Sequence, residues 1–285
     1  MIAVVDYQKG NLKSVERGLI AAGGKAFITA DASEIAKADA IVLPGVGAFA
    51  DAAATMCELG QMEVIRERVR AGVPFLGICL GEHLMFEQGV EGAPEGSPAR
   101  GLGLLPGTVV AMPRCNAQGT AFKVPHVGWN TIEMPACNGG GEAVAAPSCG
   151  EGGEDAVLSS GGAGGGAARS SAAKRGLFEH GAFPGSTPQP GGEFAFPGST
   201  PQPGGDLAFA CPLFDGIAPG EYFYFTHSYI APTGSHTIAE TTHSVRLTSA
   251  VQYGDRAFGV QFHPEKSSDA GARVLANFVA IAARG

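Results

Sequence analysis

The chain is short of charge, and what charge it has is spread out. Only 16% of its 285 residues are Asp, Glu, Lys or Arg, the formal balance is −8, and Lys and Arg nowhere gather into a basic stretch. Nucleic-acid surfaces concentrate Lys and Arg to neutralise phosphates, so this composition argues against nucleic acid as a partner. No apolar run reaches the ~18 residues that a membrane-crossing helix needs. The opening residues, MIAVVDY, turn apolar at Ile2 without a basic start or a small-residue cleavage site. They predict a first buried strand rather than a secretory leader, and a cytoplasmic protein. Six cysteines are present (Cys57, Cys79, Cys115, Cys137, Cys149 and Cys211), yet none form a C-x-x-C pair or stand at zinc-finger spacing. This pattern implies neither a structural metal nor a disulfide framework, and predicts separate thiols.

Glycine and proline, by contrast, are abundant, at 44 and 19 residues, and unevenly placed. From residue 1 to 134 short apolar runs alternate with helical periodicity. Ile2–Val5, Ala26–Thr29, Ala40–Leu43 and Phe75–Ile78 read as strands, and Asn11–Ala22, Ala50–Leu59 and Met62–Ala71 as helices. Apolar strands separated by amphipathic helices predict an α/β fold: a three-layer, open, largely parallel sheet with helices on both faces. Residues 135–208 are dominated by Gly, Ala, Ser and Pro and contain a tandem repeat, FPGSTPQPGGEFA then FPGSTPQPGGDLA. Two such units bury too little apolar surface to offset the entropy of ordering, so this stretch predicts a disordered, low-complexity insertion. A partner-binding tail is the alternative, with Phe183, Phe194, Phe196 and Phe209 as contact points. Strand character resumes in EYFYFTHSYI and SAVQYGDRAFGVQFH, and Ser268–Ala283 closes the chain as a helix. Residues 1–134 and 209–285, ~210 residues in all, suffice for one α/β domain.

Residues 75–86 read FLGICLGEHLMF. A strand running into Gly-x-Cys-x-Gly and then a helix is the nucleophile-elbow arrangement, with sulfur in place of the hydroxyl. Gly77 and Gly81 leave room for a tight turn that lifts Cys79 off the sheet's carboxyl edge. There a helix N-terminus favours the thiolate, and the Leu80 N–H is placed to hold an oxyanion. The competing reading is a buried structural cysteine, against which the two glycines weigh. A thiolate nucleophile also needs a base. Of seven histidines, His180 lies in the low-complexity stretch, and His236 and His243 occupy polar segments, so these three read as solvated. His263 ends the run FGVQFH and is followed by Pro264 and Glu265, close enough for the carboxylate to return to the imidazole.

Five segments now stand in order: LPGVGAF (43–49), GICLG (77–81), VPHVGWN (124–130), FTHSY (225–229) and GVQFHPEKS (259–267). Together they resemble the class I glutamine amidotransferases. DYQKGNLKSV near the start and PHVGWN narrow the resemblance to the glutaminase subunit of imidazole glycerol phosphate synthase, over all of the chain except 135–208. The resemblance implies a Cys79–His263–Glu265 triad that hydrolyses L-glutamine through a γ-glutamyl thioester. It implies that Gly45, Val46 and Gly47, with Leu80, form an oxyanion loop, and that His227, Ser228 and Tyr229 hold the amino-acid end of glutamine. His227 can equally be a packed histidine. Asn11, His126, Gly128, Trp129 and Asn130 would face a (β/α)₈ cyclase subunit, the heterodimer partner that receives ammonia. A lone Trp is more often core, and the resemblance reverses that expectation for Trp129. Neither cofactor nor metal is implied.

The chain departs from the family pattern near the site. Gly81-Glu82-His83 stands where the family has Gly-Met-Gln, so His83 replaces a substrate-binding glutamine. Gln8 replaces a glycine. A histidine still offers one donor and one acceptor, and Glu82 either weakens the thiolate or complements the helix dipole. Two other functions stay open: a catalytically weak module that regulates the same synthase partner, and a glutaminase serving a different acceptor. PHVGWN and QFHPEKS count against the latter.

Overall fold

Strands that bury both faces must be apolar at every position, and the central runs of this chain are. The computed structural model describes residues 1–135 and 209–284. In order, the elements are β1 (Ile2–Val5), α1 (Leu12–Ala21), β2 (Ala26–Thr29), α2 (Ala32–Ile35), β3 (Ala40–Gly45), α3 (Phe49–Glu58), α4 (Gln61–Arg70), β4 (Phe75–Cys79) and α5 (Leu80–His83). There follow β5 (Phe86–Gly89), β6 (Ala99–Arg100), β7 (Leu105–Ala111) and β8 (His126–Thr131). The later segment supplies β9 (Tyr222–His227), β10 (Tyr229–Ile230), β11 (Thr237–Thr242), β12 (Arg246–Tyr253), β13 (Ala257–Val260) and α6 (Ser268–Ala283). Short 3₁₀ turns cover Pro212–Phe214 and Pro264–Lys266.

A seven-stranded sheet runs β11-β12-β13-β4-β3-β1-β2. The five strands from β13 to β2 are mutually parallel, and β11 and β12 extend them as an antiparallel edge. Alternation along each strand divides the core into two layers. Val4, Val42, Leu76, Ile78 and Phe258 face α1 and α6 with Leu19, Leu275 and Phe278. Val5, Ile41, Leu43 and Phe75 face α3 and α4 with Phe49, Met56, Ile65 and Val69. The expected open α/β sheet with helices on both faces is therefore present. Beyond it lie a four-stranded sheet, β10-β7-β5-β6, and a two-stranded ribbon, β8-β9.

Several expectations are corrected. The helix after Cys79 is one turn long, and the apolar Leu84–Phe86 that follows leads into β5. Phe209 is no free contact point: it is buried and tilts against Phe214 at 4.9 Å between ring centroids. Cys115 is disulfide-bonded rather than a separate thiol, whereas Cys57, Cys79 and Cys211 are free. The tandem repeat, His180, Phe183, Phe194 and Phe196, and with them the expectation of disorder, lie outside the described residues. Among the described residues no helix is long and apolar enough to cross a membrane, and no group of three His, Cys, Asp or Glu is disposed to hold a metal.

The β3, β4 and β13 ends matter most for function. Gly45 pairs in register with Cys79, and Val260 with Ile78, so three adjacent parallel strands finish side by side. In open α/β sheets the crevice beyond such carboxyl ends is where ligands bind.

Candidate active site

Cys79 sits at φ 54°, ψ −105°, a conformation that an L-residue adopts only when its surroundings force it. The surroundings are the two glycines. A Cβ on Gly77 would lie 2.4 Å from the Gly81 carbonyl oxygen, and one on Gly81 would lie 1.8 Å from that of Leu43. Only bare backbone allows the chain to double back so tightly, and the turn holds the sulfur just beneath the surface. Because α5 is a single turn, its dipole is a weaker aid to a thiolate than a full helix would be.

The pair expected to serve as acid and base lies just beyond β13. His263 Nδ1 and Glu265 Oε1 are 2.9 Å apart, both side chains almost fully buried. A carboxylate only accepts, so Nδ1 carries the proton in this contact and Nε2 is left for the sulfur. The His263 N–H donates to the Tyr224 carbonyl at 2.9 Å, and Ser267 Oγ donates to the His263 carbonyl at 2.6 Å, which fixes the ring's base. Among the described residues no group meets full hydrogen-bond geometry with Nε2, yet Cys79 acts on the ring from close range. Burial works against the imidazolium. Hydrogen-bonding attraction from Cys79 and then Glu265, with their charges, outweighs it and raises the His263 pKa to about 9. A protonated imidazole next to the sulfur is the state these neighbours favour.

In front of Cys79 lies a cavity of about 310 Å³. The sequence-predicted Val46, Gly47, Leu80, His83, His227, Ser228 and Tyr229 all line it, and Gly45 stands behind, at the end of β3 beside Cys79. The sequence reading missed Glu91, Pro125 and Thr226, which also line it. Burial, with the nearby Asp51 charge, raises the Glu91 pKa. Tyr7 was missed as well: its buried hydroxyl, unpartnered among the described residues, presses on Gly45 so closely that a Cβ there would come within 1.9 Å.

The departures from the family pattern take definite positions. His83 Nε2 lies 2.7 Å from Gln261 Oε1, and burial lowers the His83 pKa to about 4. Gln261 Nε2 in turn donates to Cys79 Sγ at 3.7 Å. Glu82 is fully buried against Gly259, with neither oxygen hydrogen-bonded among the described residues, and burial raises its pKa well above the usual carboxylate range. Burial thus opposes its charge, so it is not placed to complement a helix with one. Gln8 takes φ 68°, where a glycine would sit without strain.

The residues expected on a partner face divide. Trp129 is 51% exposed on β8 and meets Tyr224 of β9 edge-on, and Asn11 is exposed ahead of α1. Gly128, at φ 140°, lies between the ribbon's exposed Val127 and Trp129. His126 instead turns inward. His227 Nδ1 donates to the Tyr229 carbonyl at 2.8 Å, so its Nε2 accepts from His126 Nδ1 at 3.1 Å, and Asn130 Nδ2 reaches His126 Nε2 at 3.4 Å. Burial lowers the pKa of His126 to about 4 and of His227 to about 3. Nor are His236 and His243 free in solvent: His236 Nε2 bonds the Pro232 carbonyl, and His243 stacks on His126 at 4.3 Å.

A cysteine on a strained strand-to-turn corner, an imidazole–carboxylate pair just beyond the adjoining strand and glycines at the neighbouring strand end make an arrangement of the glutamine amidotransferase type. Family models agree: the CobB/CobQ-like glutamine amidotransferase domain matches residues 14–132, and class-I glutamine amidotransferase matches residues 198–282. An imidazole glycerol phosphate synthase subunit HisH of Moorella thermoacetica is 34% identical over 97% of this chain and 93% of its own length. The HisH of Syntrophotalea carbinolica is 31% identical over 98% of each. Two solved structures share the fold, a glutamine amidotransferase (TM-score 0.55, 15% identity, 99% of this chain and 100% of that one) and PurLQS of Thermotoga maritima (0.53, 13%, 98% and 97%). The chain belongs to the HisH family of imidazole glycerol phosphate synthase subunits.

Proposed function

We propose that this chain is the glutaminase subunit of an imidazole glycerol phosphate synthase in histidine biosynthesis. Residues 1–134 and 209–285 form its amidotransferase domain, interrupted by 135–208. The observation that carries the reading is the convergence, at three adjacent strand ends, of Cys79, the His263–Glu265 pair and the Gly45–Gly47 loop.

Cys79 attacks the side-chain carbonyl of glutamine lying in the 310 Å³ cavity. As the sulfur–carbon bond forms, the carbonyl electrons move onto oxygen, held by the Leu80 N–H and by a donor from Val46 or Gly47. His263, protonated at the start, gives its Nε2 proton to the departing nitrogen, so ammonia leaves and the γ-glutamyl thioester remains. Neutral His263 then takes a proton from water, whose oxygen attacks the thioester and releases glutamate. Glu265 keeps Nδ1 protonated throughout, so Nε2 is always the nitrogen that exchanges. The amino-acid end of glutamine lies against His227, Ser228 and Tyr229.

Ammonia released into neutral water becomes ammonium, which has no lone pair to attack with. A sealed junction with the acceptor enzyme therefore serves the chemistry, and the exposed Val127, Trp129 and Tyr222 on the β8-β9 ribbon suit a (β/α)₈ cyclase subunit. The test is glutamate release from glutamine, with and without that cyclase and its ribonucleotide ligand. Release that needs the partner and vanishes in Cys79→Ala supports the proposal; background release with an active partner and ligand present defeats it. A catalytically weak regulatory subunit is the second reading. It is favoured by one observation: His83, in the place of a substrate-binding glutamine, has its Nε2 engaged by Gln261.

A further inference from the structure

We infer that Gln261 is a positioning residue for the nucleophile, its side-chain N–H held against Cys79 Sγ by a clamp from His83. The inference rests on the reading of Cys79 as the attacking group. Gln261 follows β13, two residues before His263, and both side chains approach the sulfur. It is fully buried, and its own N–H is tied to the Ser249 carbonyl at 2.9 Å. A buried amide can flip end for end unless each end is specified. Here Oε1 lies 2.7 Å from His83 Nε2, and Nε2 lies 3.7 Å from Cys79 Sγ. The flipped amide would aim a carbonyl oxygen at a sulfur that carries negative charge during the reaction. The orientation seen is the one an anion selects, and it requires His83 to carry its proton on Nε2.

The sulfur's other polar contact sharpens the point. The Thr226 carbonyl, 3.9 Å away, can only accept, so it suits the neutral S–H. Gln261 can only donate from Nε2, so it suits S⁻. The two contacts thus select opposite protonation states. Around them the titratable groups near the site include His263 with Glu265 behind it after β13, His83 on α5, His227 and Glu91 in the cavity wall, and Tyr7 just beyond β1, whose ionisation is opposed by burial and by the Cys79 charge. His83 does not touch the sulfur; it acts through Gln261. The histidine in place of the family's glutamine keeps a donor at the point where the clamp needs one.

The test is the pH profile of Cys79 alkylation by iodoacetamide in the full chain, with the Cys79 peptide quantified by mass spectrometry and folding checked by circular dichroism. Removing a hydrogen bond that favours the anion, in Gln261→Leu, should move the inflection up by about one pH unit and slow reaction about tenfold at pH values below the native inflection. His83→Leu should shift it the same way. His83→Gln should restore the original inflection, because an amide N–H can again donate to Gln261 Oε1. A folded Gln261→Leu variant with an unshifted inflection overturns the inference. Should Gln261→Leu fail to fold, equal profiles for His83→Leu and His83→Gln overturn it instead. Glutamate release that is partner-dependent and lost in Cys79→Ala, alongside an unshifted Gln261→Leu profile, sinks this inference alone. No glutamate release by the native chain with its partner sinks the glutaminase reading, whatever the alkylation profile.

Discussion

Replacing Glu82 with methionine should make the protein more stable, and increasingly so as pH rises. Glu82 is fully buried with neither oxygen hydrogen-bonded among the described residues, beside Gly259 and Met85. An unpaired buried polar group costs about 1–3 kcal/mol by the measure of protein mutants. Methionine has nearly the same length and volume, so Glu82→Met removes that cost without opening a cavity. In a domain of this size the gain corresponds to roughly 2–12 °C in Tm. The pH dependence follows from linkage. Burial raises the folded-state pKa of Glu82 above its unfolded value, so the folded chain keeps a proton that the unfolded chain gives up. Folding is therefore least penalised below the unfolded pKa. It loses about 1.4 kcal/mol per pH unit above it, until the folded form also ionises. Urea unfolding of native, Glu82→Met and Glu82→Gln chains at pH 5 and pH 7 tests both parts. The gap between native and Glu82→Met should widen from pH 5 to 7. Glu82→Gln, polar but unable to ionise, should lose the slope while keeping most of the desolvation cost. If the gap between native and Glu82→Met is the same at the two pH values, the carboxyl is not buried as described.

Three further outcomes are expected. Gly45→Ala should destabilise the chain by about 1–3 kcal/mol because its Cβ meets the Tyr7 hydroxyl, and Tyr7→Phe in the same chain should recover part of the loss in a double-mutant cycle. Gln8→Gly should add about 1 kcal/mol by relieving a left-handed backbone at φ 68°, read from the urea midpoint at unchanged m-value. In Cys79→Ala the His263 pKa, about 9 in the native chain, should fall markedly because its strongest charged neighbour is gone. The stability that the raised pKa contributes is present below the unfolded value near 6.5 and is lost as pH approaches 9. Native minus Cys79→Ala stability should accordingly shrink over that window, with the imidazole followed by nitrogen NMR.

How much of this was legible in the sequence differs from element to element. The β1, β3 and β4 strands were readable because both their faces are buried, which leaves no polar position to confuse the pattern. The corner at Cys79 was readable because Gly77 and Gly81 are demanded by contacts of 2.4 and 1.8 Å that no other residue tolerates. The shortness of α5 was not, since Leu84, Met85 and Phe86 continue a helical-looking apolar run although Phe86 belongs to β5 and pairs with β7. The second sheet escaped because β7 buries only Leu105 and Val109, and Pro106 and Gly107 interrupt its alternation. The site was legible where partners are close in sequence, as with His263 and Glu265. Gln261 left a fainter signal, lying two residues from His263 on the same side of the chain. That Glu82 is inside, or that His126 turns inward to His227, depends on contacts between segments that no local pattern specifies.

The placement of β13 beside β4 has a consequence for synthesis. His263 leaves the ribosome 184 residues after Cys79, roughly 10–40 s later at ordinary elongation rates. Until that last strand docks, Cys79 stands without the imidazole beside it. On the proposed mechanism, an unfinished chain thus carries its nucleophile without its base, and a fragment ending before Gln261 should not turn over glutamine.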